Sequence, residues 1–85
     1  MFDTASGHSI VLSAPPDTPI IVYFEPVGGE IALAPGQHVR LVVHGPSEET
    51  LEIAHEKDSI TVWPSPKLTV KVYDMSGIEL QILGF

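Results

Sequence analysis

Apolar and polar residues alternate with a period of two along most of this chain, the pattern of strands with one buried and one more exposed face. Residues 38–44 are the clearest case, with Val39, Leu41 and Val43 interleaved with His38, Arg40, Val42 and His44. Leu51 and Ile53 alternate with Glu52 and Ala54, and Ile60 alternates with Thr61 and Val62 with Trp63. Leu68, Val70 and Val72 alternate with Thr69, Lys71 and Tyr73, and Ile78, Leu80 and Ile82 close the series. Residues 20–24 differ, because Ile20, Ile21, Val22, Tyr23 and Phe24 are apolar on both parities. Such a strand is either central between two layers or in contact with another subunit.

Eight prolines and seven glycines interrupt any helical pattern and mark the turns between these runs. Strands are therefore expected at 9–13, 20–25, 30–34, 38–44, 50–55, 59–63, 68–73 and 78–82. Gly28-Gly29 suits a tight hairpin after 20–25. Pro35-Gly36 suits a type II turn, since proline presets φ and glycine accepts the positive φ that follows. Turn signals about every ten residues predict an all-β fold, an antiparallel β-sandwich of about seven or eight strands with Greek-key or jelly-roll-like crossings. Short connections argue against a parallel sheet. Residues 38–44 and 50–55 are expected to form a hairpin in which Val43 faces Leu51 and His38 faces Glu56, with Arg40 near Glu52 and Glu56.

Length and composition narrow the classes of function. A chain of 85 residues supports one core, predicting a single domain over 1–85. The longest apolar run, Ile20 to Phe24, is far short of the roughly 20 residues of a membrane-spanning helix. The N-terminus carries Asp3 and no Lys or Arg, which argues against a secretory signal and for a cytoplasmic protein. A formal charge of -7, with four basic residues against eleven acids, opposes nucleic-acid binding. The absence of cysteine excludes disulfides, thiolate metal sites and a cysteine nucleophile. No cofactor is expected.

The segment Glu25-Pro26-Val27-Gly28-Gly29-Glu30, then Leu33-Ala34-Pro35-Gly36-Gln37 and later Ile60-Thr61-Val62-Trp63, resembles a family of small uncharacterised bacterial all-β proteins. In that family an EPxG turn, an LxPG turn and an ITVW-like strand recur in this order. The resemblance covers residues 25–63 and rests on turn chemistry and core strands. It implies a β fold and a bacterial origin, and no catalytic residues, because the family carries no assigned activity.

The candidate chemistry is sparse. Four histidines among acids raise a metal site, since imidazole and carboxylate are common transition-metal ligands. His38 and His44 on one strand would lie about 20 Å apart, too far to share an ion, so a metal-assisted or cupin-like enzyme would need His38, Glu56 and a third ligand. No glycine-flanked serine elbow is present, and an enzyme is not expected. Trp63 and Tyr73 are candidate ligand-stacking residues, as in a carbohydrate-binding module. The most informative feature is surplus hydrophobicity, a mean hydropathy of +0.22 in a small chain that has little interior to use it. It points to a non-catalytic protein-interaction or assembly module that self-associates, as a homodimer, or binds another protein. Ile21, Tyr23, Leu83 and Phe85 are the expected contact residues.

Overall fold

Residues 7–82 are described in the computed structural model, and all of their regular structure is strand. The elements are β1 (His8–Ser13), β2 (Ile20–Phe24), β3 (Gly29–Leu33), β4 (His38–His44), β5 (Leu51–His55), β6 (Ser59–Pro64), β7 (Thr69–Tyr73) and β8 (Glu79–Leu80). Their bounds follow the alternation and the Pro/Gly punctuation closely. They pack as a β-sandwich of two four-stranded sheets, sheet A in the order β1-β4-β7-β8 and sheet B in the order β3-β2-β6-β5.

The chain lays one strand into sheet A and then a hairpin into sheet B, and does so twice, before β7 and β8 complete sheet A. The two hairpins of sheet B, β2–β3 and β5–β6, meet through β2 and β6. Because the first strand of one hairpin abuts the second strand of the other, that contact is parallel, with Ile21 beside Ser59 and Phe24 beside Val62. The expected antiparallel β-sandwich forms, and this parallel pairing, which the short connections argued against, is its one exception among the described strands. Parallel neighbours need a long crossover, and β3, β4 and β5 supply it in place of a helix.

The expected β4–β5 hairpin is also corrected. Strand β4 is central in sheet A, with β1 and β7 on its two edges, whereas β5 is an edge strand of sheet B paired only to β6. Residues 45–50 carry the chain from one layer to the other. The loop is pinned on the sheet B side, where Ser65 donates from Oγ to Glu49 Oε1 at 2.6 Å and from its N–H to the Thr50 carbonyl at 3.0 Å. Alternation fixed the faces of both strands but does not distinguish a neighbour across a ladder from one across the core.

Turn chemistry holds the corners. The Pro35-Gly36 turn forms as expected, with Gln37 N–H donating to the Ala34 carbonyl at 2.9 Å and Gly36 at φ 80°, a region closed to most L-residues. The same corner locks onto the β1–β2 connection: Gly36 N–H donates to the Pro15 carbonyl and Ala14 N–H to the Gln37 carbonyl. The β2–β3 turn is longer than a two-residue loop. It contains a cis Glu25–Pro26 peptide, only Gly28 of the glycine pair takes positive φ, and Gly29 already belongs to β3.

The core lies between the sheets. Phe24, Val22 and Val62 from sheet B and Leu41, Val39 and Val72 from sheet A are its most deeply buried side chains. Among the described residues no polar or charged residue is buried. Hydrophobic burial at about 25 cal/mol per Å² of apolar surface is thus what joins the layers.

Candidate functional site

With the inner faces filled by the core, function falls to what the sheets present outward. In sheet B the residues that alternate away from the core form three cross-strand rows. Ala32, Ile21 and Ser59 lie side by side; so do Glu30, Tyr23, Thr61 and Ala54; and Trp63 pairs with Glu52. Glu25 extends the last row, its N–H donating to the Val62 carbonyl at 2.9 Å. Ile21 and Tyr23 stand two residues apart on β2, and Trp63 on β6 is the diagonal neighbour of Tyr23, a spacing of about 7–8 Å that aromatic side chains can reach across, so the three run as one apolar and aromatic strip over two adjacent central strands. Trp63 is 50% exposed and Ile21 36% exposed; Tyr23 is half-buried. Glu25, Glu30 and Glu52 border the strip, and among the described residues the outward positions of this sheet hold no Lys, Arg or His.

The strip runs into an open depression of about 540 Å³ at one end of sheet B, where Pro19, Ile21, Ala32 and Ala34 provide apolar walls and Gln37 and Asp58 the polar ones. An apolar surface continuous with an apolar hollow suits a non-polar contact better than charge-transfer or acid–base chemistry.

The outer face of sheet A is different. Its rows are Ser13 with His38, Val11 with Arg40, Tyr73 and Glu79, Ser9 with Val42 and Lys71, and His44 with Thr69. The Arg40 guanidinium sits 5.1 Å from the centroid of the Tyr73 ring, a cation–π contact across the β4–β7 ladder. Arg40 thus meets Tyr73, in place of the expected Glu52 and Glu56, which belong to the other sheet.

The sequence-derived candidates therefore separate. Ile21, Tyr23 and Trp63 come together, although the sequence pattern points to two different roles for them. Tyr73 lies on the opposite sheet and is covered in part by Arg40. Leu83 and Phe85 lie outside the described residues. His38, on β4, and Glu56, beyond the end of β5, belong to different sheets, and no cluster of three or more His, Cys, Asp or Glu able to hold a metal occurs among the described residues. His55 shares the parity of Leu51 and Ile53 but is exposed, because it ends the edge strand β5.

One grouping joins residues that are far apart in the sequence. His38, Asp74 and Ser76 line a depression of about 340 Å³ beside Leu33 and Leu80, the residue types of an acyl-transfer triad. Asp74 is occupied otherwise: its Oδ1 accepts the N–H groups of Ser76 at 2.9 Å and Ile78 at 3.0 Å, which shapes the β7–β8 turn. Asp74 here is a turn residue.

Comparison of the chain with protein-family models, curated proteins and solved structures finds no match. No helix of the described residues is long and apolar enough to cross a membrane.

Proposed function

We propose that this chain is a non-catalytic interaction and assembly module that uses the outer face of sheet B as its contact surface. The observation that carries the reading is the strip of Ile21, Tyr23 and Trp63 on the two central strands, bordered by carboxylates. Aromatic residues surrounded by a polar rim are the usual anatomy of a contact patch, and Trp and Tyr are the residues most often found to dominate its energy. The apolar parity of β2 is thereby accounted for: Ile20, Val22 and Phe24 serve the core, while Ile21 and Tyr23 serve the contact. Self-association is the reading in closest accord with the surplus hydrophobicity of the chain, and the acidic border sets orientation and discourages wrong partners.

Light scattering coupled to size-exclusion chromatography, on the wild type and on Trp63→Glu over a range of chain concentrations, tests this. Association in the wild type that Trp63→Glu weakens supports the reading, while an unchanged mass profile in the variant removes the strip from the contact.

A second reading has one specific observation behind it. Trp63 lies between Glu25 and Glu52, so a stacking ring has carboxylate acceptors on both sides to which sugar hydroxyls can donate. Tryptophan emission titrated with oligosaccharides decides it: a saturable shift supports a carbohydrate-binding role, and a flat titration removes it.

A further inference from the structure

The two outer faces are unlike each other in a way that specifies how copies meet. On sheet B the outward charges are Glu25, Glu30 and Glu52, with no cation among the described outward positions. On sheet A they are Arg40 and Lys71, with His38 and His44 beside them and Glu79 alone of opposite sign. Apolar surface accompanies both sets: Ile21, Tyr23 and Trp63 on sheet B, and Val42 and Val11 on sheet A, the latter 56% exposed. We propose that the occupant of the sheet B face is the sheet A face of a second copy, giving a head-to-tail stack of sandwiches. The inference rests on the reading of the sheet B strip as a contact surface.

Charge complementarity decides the geometry. A two-fold dimer through sheet B would set the Glu25, Glu30 and Glu52 border of one copy against the same border of the other, and like charges brought together across an interface are costly. Stacking sheet B on sheet A instead sets that border against Arg40 and Lys71. A contact between two different faces of identical chains is heterologous, so it leaves a free face at each end and continues into a ring or an open filament.

Size sets the strength. Four strands about 4.8 Å apart, mostly five residues long in sheet B, at about 3.3 Å per residue give a patch of about 300 Å² per side. The total is below the roughly 1,200 Å² at which stable pairs begin. The stack is therefore weak, and its growth is read at chain concentrations from tens of micromolar to millimolar.

The test uses two variants, each blocking one face. Trp63→Glu blocks sheet B, and Arg40→Glu with Lys71→Glu blocks sheet A; Val11→Asp serves in place of the double variant if thermal unfolding shows that the latter does not fold. Sedimentation velocity should show wild-type mass rising beyond a dimer with concentration, each variant alone reduced to monomer, and an equimolar mixture of the two restored to a one-to-one dimer that grows no further. Each variant retains one intact face, and only a heterologous contact lets those faces meet. A sheet A variant that associates as the wild type does overturns the stacking while leaving sheet B as a two-fold contact. A mixture that stays monomeric overturns the stacking as well. A wild type that is monomeric up to millimolar concentration overturns both the stacking and the self-association beneath it.

Discussion

Both sheets of this sandwich are built from the same inward residues, mostly Val, Leu and Ile, with Phe24 as the single aromatic among the buried side chains of the described residues, yet outward they diverge. Sheet B turns Ile21, Tyr23 and Trp63 to solvent within a border of glutamates. Sheet A turns out Arg40, Lys71 and two histidines around Val42, and its outward aromatic, Tyr73, lies against Arg40. The inner faces are constrained by the core and so resemble each other. The outer faces are free of that constraint, and the difference between them is what the proposed function rests on.

The sharpest break between inner and outer faces runs through adjacent residues of β2. Phe24→Ala empties a site that is 0% exposed and should cost about 3–5 kcal/mol, a large part of the roughly 5–15 kcal/mol available to a domain, whether or not the chain associates. Urea unfolding followed by circular dichroism reads it, and a loss below about 1 kcal/mol would mean that Phe24 does not anchor the core.

Trp63→Glu probes the outer face of the same sheet. Folding stability should change by no more than about 0.5 kcal/mol, as for other surface substitutions, while association falls at least about tenfold, equivalent to about 1.4 kcal/mol. A matching loss of folding stability would make Trp63 a structural residue.

Sheet A supplies a smaller effect. A double-mutant cycle on Arg40→Ala and Tyr73→Ala, read by thermal unfolding, should give a coupling of about 0.5–1 kcal/mol, the range of an exposed cation–π pair. Zero coupling would leave Arg40 free and remove the contrast between a partly covered Tyr73 and an open Trp63. The smallest effect separates the modes of assembly. Glu30→Lys should weaken a head-to-tail stack about threefold by placing a cation against Arg40 and Lys71, whereas it would strengthen a two-fold contact through sheet B by relieving glutamate repulsion.

Much of this organisation is visible in the chain itself. The alternation in 38–44 and 68–73 and the turn signals at Pro35-Gly36 and Ser76-Gly77 locate the strands and their buried parity, because both depend on residues close in sequence. Pairing is not local. Nothing in the alternation of Leu51 and Ile53 tells whether β5 joins β4 beside it or crosses to the other layer, and the crossing is fixed by β1 and β7 taking both edges of β4. The parallel contact of β2 with β6 is hidden for the same reason. The candidate site was legible only in parts: Ile21 and Tyr23 stand out by apolar parity and Trp63 as the single tryptophan, but their union depends on that parallel register. Tyr73, like Trp63, follows a core Val near the end of its strand, and what separates them is the sheet that receives each and the Arg40 that lies over Tyr73.

The most direct test of the central claim, that the two unlike outer faces are the surfaces of contact, is a dilution series of ¹H–¹⁵N correlation spectra from millimolar to tens of micromolar chain. The account predicts concentration-dependent shifts on β2 and β6 around Ile21, Tyr23 and Trp63, together with a second group on β4 and β7 around Arg40, Val42 and Lys71. Shifts confined to residues outside both groups, or spectra that superimpose at every concentration, would contradict it.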